Sequence, residues 1–106
     1  MKKIIIFLSV ITMFSVVMVN ADSLTKDQIL QICNEQADYA EAIMEARQRG
    51  VSRETLYEAV ENDRNLMVLI NDAFEYSVYG TDEVKETITD YFSEETFQIC
   101  LEALEY

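Results

Sequence analysis

Chemistry in this chain falls to carboxylates, tyrosines and two cysteines. Its 106 residues include 20 Asp and Glu, six Tyr, Cys33 and Cys100, and neither His nor Trp. Without histidine there is no His-containing triad, His-ligated zinc site or imidazole base, which removes most small-enzyme chemistry. Paired carboxylates can act as acid and base, but that role needs a cleft that raises one pKa, and spacing alone supplies none. A calcium loop needs alternating Asp or Asn ligands, a glycine and a closing glutamate. Asn62-Asp63-Arg64-Asn65 instead puts a cation where a ligand belongs. The expectation is a protein with no catalytic residues, no metal and no cofactor.

The carboxylates are patterned. Glu35, Asp38, Glu41 and Glu45 recur every three or four residues, and so do Glu83, Glu86, Asp90 and Glu94. Like charges at i,i+4 cost a few tenths of a kcal/mol each, and lysines usually intersperse them. Here Lys85 is the only basic residue after Arg64. Such faces serve either as a solvated coat that keeps the protein soluble or as an electrostatic docking surface. The formal net charge of −12 excludes nucleic acid and anionic membrane as default partners, because both require a basic face. A basic protein is the partner that this charge attracts.

The amino terminus reads as an export signal. Lys2 and Lys3 precede an apolar run from Ile4 to Val19. Val19-Asn20-Ala21 then offers small or modest side chains for cleavage between Ala21 and Asp22. The run has 16 residues, short of the roughly 20 that a spanning helix needs, although an uncleaved anchor is the competing reading. The expected organisation is a signal peptide over 1–21 and one acidic helical domain over 22–106. That domain is periplasmic or secreted and not stably inserted in a membrane. Loss of Lys2 and Lys3 from the eight basic residues leaves six against 20 acidic ones, a net charge of −14.

An even cysteine count in an exported domain reads as a disulfide, and Cys33–Cys100 is the only intramolecular pairing. A reactive thiol or redox pair has no support: C-x-x-C spacing is absent, and Cys33 lies near Glu35 rather than near cations. Closing so long a loop stabilises by roughly 4 kcal/mol in the chain-entropy model.

The positioning elements are helices. No proline and only two glycines interrupt the chain, and half of its residues are hydrophobic, too many for a disordered acidic tail. Thr25-Lys26-Asp27-Gln28 is a capping box. Behind it, Ile29, Ile32, Cys33, Ala37, Ala40, Ile43, Met44 and Arg47 keep helical spacing up to a stop at Gly50. Ser52 caps a second helix, expected over Arg53 to Glu61 with Leu56, Ala59 and Val60 inward. Asp63 caps a third from Arg64 to about Val78, with Leu66, Met67, Ile70, Ala73, Phe74 and Ser77 as its core stripe and Gly80 as its end. Thr81 caps the last segment, which turns Val84, Ile88, Tyr91, Phe92, Phe97, Cys100, Leu101 and Leu104 inward. Ser93-Glu94-Glu95 is either a fresh cap or a bend within one long helix. The fold expected is all-α, a four- to five-helix bundle whose first and last helices share the disulfide.

Cys33 with Ala37, Ala40, Ile43-Met44, Ala46-Arg47 and Gly50-Val51-Ser52, followed late by Phe97 and Cys100-Leu101, resembles a loose group of small exported two-cysteine helical proteins. These occur in proteobacteria and their phages and have no settled function. The resemblance implies a fold and a compartment, and it carries over no catalytic residue.

Two smaller constellations remain. Arg47, Arg49 and Arg53 flank Gly50, where they either serve the helix ends and pair locally or hold an anionic group. Tyr76 and Tyr79, off the third core stripe, either cap the core or anchor a partner. The reading that follows is an exported protein that binds, inhibits or masks a basic envelope protein such as a lysozyme. Its contact residues would be Glu35, Asp38, Glu45, Tyr76, Tyr79, Glu86, Asp90 and Glu94. The alternative is a periplasmic stress or acid-responsive chaperone-like protein.

Overall fold

A computed structural model describes residues 24–106. The apolar run Ile4–Val19 and the cleavage pair Ala21 and Asp22 lie outside the described residues. Four helices are present among those described: α1 over Lys26–Gln48, α2 over Arg53–Ala59, α3 over Arg64–Ala73 and α4 over Asp82–Ala103. They form an all-α bundle in which a disulfide joins α1 to α4.

Each helix starts on a polar side chain that relieves an orphan N–H. Thr25 Oγ1 accepts from the Gln28 N–H at 3.1 Å, and Gln28 Oε1 accepts from the Thr25 N–H at 2.9 Å, which completes the capping box. Ser52, Asp63 and Thr81 accept from the backbone of Thr55, Leu66 and Val84. At the end of α1, Gly50 adopts φ +88°. Its N–H donates to the Arg47 carbonyl, and that of Val51 donates to Ala46, both at 3.0 Å. This paired ending uses glycine because a Cβ is disfavoured in the left-handed region.

α1 and α4 run antiparallel, with Cys33 opposite Cys100, Ala37 opposite Ser93 and Gln48 opposite Lys85. Ala37 and Ala40 leave room for the close approach that the disulfide and the Ser93 hydroxyl bond to the Ala37 carbonyl require. The main core lies toward the Gly50 end. There Ala40, Ile43, Met44 and Ala46 meet Leu56 of α2, Ile70 and Ala73 of α3, and Phe92 of α4. Ile29 and Cys33 are buried beyond it, toward the disulfide end. No described helix is long and apolar enough to cross a membrane.

Several expected boundaries and faces are corrected. α2 stops at Ala59 rather than Glu61, because Glu61 and Asn62 turn left-handed at φ 56° and 59°. Ala59 is exposed, whereas half-buried Val60 packs against the core as expected, and Leu56 is the buried residue of the helix itself. α3 ends at Ala73, five residues before Val78, and Gly80 has no part in stopping it. Ser77 is consequently exposed in a loop. α4 is one helix through Ser93-Glu94-Glu95. Val84 and Tyr91 point outward, as does Ile32 of α1. Thr89 is buried in place of those α4 positions, its hydroxyl satisfied by the Lys85 carbonyl at 2.8 Å.

Candidate interaction surface

The antiparallel register brings the carboxyl end of α1 against the amino end of α4, and a groove of about 440 Å³ opens between them. Glu41, Glu45, Gln48 and Arg49 line one side; Asp82, Lys85, Glu86, Thr89 and Asp90 line the other. Glu41 and Glu45 sit one turn apart on α1, and Asp82, Glu86 and Asp90 occupy successive turns of α4, so helical period places all five acids on the groove walls. Lys85 is an internal counter-charge. Its ammonium donates to the Gln48 carbonyl at 2.9 Å and so relieves an unpaired acceptor at the α1 terminus. Five carboxylates against Lys85 and Arg49 leave the groove negative.

Of the expected contact acids, Glu45, Glu86 and Asp90 meet in this groove. Glu35, Asp38 and Glu94 are exposed but do not line it, and Glu94 accepts from the Gln98 amide at 3.3 Å. The two acidic stripes thus meet in this groove, at the Gly50 end. Glu41 and Asp82 join them there, and both lie outside the contact set expected from the sequence. Counting inward from Cys33–Cys100 in an antiparallel pair would have aligned Glu45 with the Glu86 turn and exposed both omissions.

Tyr76 and Tyr79 lie in the α3–α4 loop rather than on a helix face. Tyr76 meets the Phe92 ring edge-on, with centroids 5.7 Å apart. Its carbonyl accepts from Arg47 Nε and Nη2 at 3.1 and 2.8 Å. The buried Gln48 amide holds the next stretch, donating to the Ser77 carbonyl at 2.8 Å and accepting from the Tyr79 N–H at 2.9 Å. Burial, then Glu95, Tyr91, Tyr79 and Glu75, push the Tyr76 phenol above its ordinary pKa.

The arginine cluster divides. Arg47 and Arg53 place their guanidinium carbons 4.4 and 5.0 Å from the Phe74 ring centroid. Arg53 also bonds Asn71 Oδ1 at 3.4 Å, an oxygen that accepts from the Tyr57 hydroxyl as well. Arg49 goes to the groove instead. The three do not form one anion site. Among the described residues no three His, Cys, Asp or Glu side chains converge as a metal site. No family model, curated protein or solved structure matches this chain.

Proposed function

We propose that this chain is an exported interaction protein whose α1–α4 groove engages a basic protein of the cell envelope. Inhibition or masking of a basic envelope enzyme such as a lysozyme is the form of that activity we favour. The observation that carries the reading is the meeting of Glu41, Glu45, Asp82, Glu86 and Asp90 in one groove on a chain of net charge −12. Like charges at helical spacing are unfavourable in general, and a cationic surface brought against them offsets that. Complementary charge of this kind speeds encounter and selects the partner's sign. Localisation outside the cytoplasm is part of the same proposal and rests on the basic start, the apolar run and Val19-Asn20-Ala21.

The test titrates a basic lysozyme with the purified domain at low salt and follows lysis of cell-wall substrate. Lysis falls as the domain is added, and a variant with Glu41, Glu45, Glu86 and Asp90 neutralised has lost the effect. Undiminished lysis at saturating wild-type protein would contradict inhibition of this enzyme class.

A further inference from the structure

Tyr76 carries the α3–α4 loop onto α4 at Phe92, next in sequence to Tyr91. Tyr91 precedes Phe92, against which Tyr76 packs, and it is 52% exposed. Its hydroxyl donates to Glu95 Oε2 at 3.2 Å. An exposed phenol ring and a carboxylate therefore share one face of α4, next to the Phe92 position on which Tyr76 packs. Val84, two turns before Tyr91 on α4, is exposed and extends it.

Ring faces attract cations, and a carboxylate beside them pairs with a guanidinium through two parallel hydrogen bonds. Arginine satisfies both features at once, whereas lysine offers a compact, strongly hydrated point charge. This fold already stacks arginine in that manner, with Arg47 and Arg53 on Phe74. The third cation–ring contact among the described residues is Lys26 on Tyr106, so none of the three uses Tyr76, Tyr79 or Tyr91. Lys85, the one basic residue after Arg64, is bonded to the Gln48 carbonyl. A second copy of the chain is a poor occupant, because two bodies of net charge −12 repel.

We infer that the Tyr76, Tyr91 and Glu95 patch docks an arginine side chain of the cationic partner, with its guanidinium over the exposed ring and paired to Glu95. This rests on the proposed cationic partner and adds which of its residues is read, and where. The acidic groove answers to positive charge in general; the exposed ring beside Glu95 adds a preference for arginine.

The test compares hexa-arginine with hexalysine, peptides of equal charge, binding to the domain at low salt. Affinity is measured by calorimetry and contact by the tyrosine ring signals in NMR. Hexa-arginine should bind about two- to fivefold tighter and shift the Tyr76 and Tyr91 ring signals. Tyr91→Phe should keep that preference, while Tyr91→Leu and Glu95→Gln should abolish it with unchanged helical content. Equal affinity for the two peptides, or a preference that survives Tyr91→Leu, would overturn the patch and leave the cationic partner standing. Failure of both peptides to bind would overturn both readings.

Discussion

The side-chain oxygen of Gln48 accepts the Tyr79 N–H at 2.9 Å, across 31 positions of sequence. The same amide donates to the Ser77 carbonyl, so one buried side chain at the end of α1 holds the loop that feeds α4. Removing it would leave a partly buried donor and acceptor without partners, at about 1–3 kcal/mol each when fully desolvated. Gln48→Ala is therefore expected to lower stability by about 2–3 kcal/mol in a urea titration. Gln48→Glu keeps the acceptor but sets a carboxylate against the Ser77 carbonyl. It should be destabilising at pH 7 and recover part of the loss when protonated in acid.

The disulfide should matter more than any single helix cap. Cys33 is fully buried and Cys100 half-buried, 5.5 Å apart at Cα with a sequence separation of 67. The main core stops short of this end, so the bond clamps the part of the helix pair that α2 and α3 support least. Loop closure of that length is worth roughly 4 kcal/mol. Reduction should lower Tm by well over ~10 °C for a domain of this size. Hydrogen exchange should accelerate first in the amino-terminal half of α1 and the carboxyl-terminal half of α4.

How far this fold was legible follows from the range of the interactions that set it. Thr25 with Gln28, Ser52, Asp63, Thr81 and Gly50 act within four residues, and each marks its helix end where local chemistry predicts it. Cys33 and Cys100 were readable by elimination. The end of α3 was not, because no glycine or proline stands near Ala73. There Arg47 captures the Tyr76 carbonyl, and Gln48 the carbonyl of Ser77 and the N–H of Tyr79, from about 30 residues away. The same override moved Tyr76 and Tyr79 off a helix and into a loop. In α4, Val84 and Tyr91 have helical spacing with Ile88 and so mimic a core stripe. The face turned inward is decided by Phe92, with Thr89 able to hide its hydroxyl against its own helix.

Gly50 offers a clean backbone test. A Cβ there would meet nothing within 4 Å, so conformation alone sets the cost of adding one. Gly50→Ala should destabilise by about 1–2 kcal/mol through its left-handed φ. Gly50→Asn should cost less, because asparagine tolerates that region better. Equal Tm values for all three proteins would contradict this account of the α1 stop.

Asp72 is held above the ordinary aspartate pKa by burial and then by Glu75. A raised carboxylate pKa means that the folded form binds more protons than the unfolded one, so stability falls as pH rises through that window and stays lower above it. Asp72→Asn should therefore raise Tm at pH 7, with solvent screening keeping the gain under about 1 kcal/mol. The advantage should vanish below the unfolded-state pKa of 3.8. A variant less stable than wild type at pH 7 would contradict the sign.

The most direct test of the interaction reading is binding to a basic lysozyme at about 50 and about 300 mM salt, a span over which screening of exposed charge becomes strong. Three proteins are compared: wild type, one with groove residues Glu41, Glu45, Glu86 and Asp90 neutralised, and one with Glu35, Asp38 and Glu94 neutralised outside the groove. Wild-type affinity should fall at least about tenfold with salt, mainly through the association rate. The groove variant should bind weakly at both salt levels, and the second variant should stay near wild type. Affinity indifferent to salt and to the groove substitutions would contradict the account and leave the acidic residues as a solubility coat.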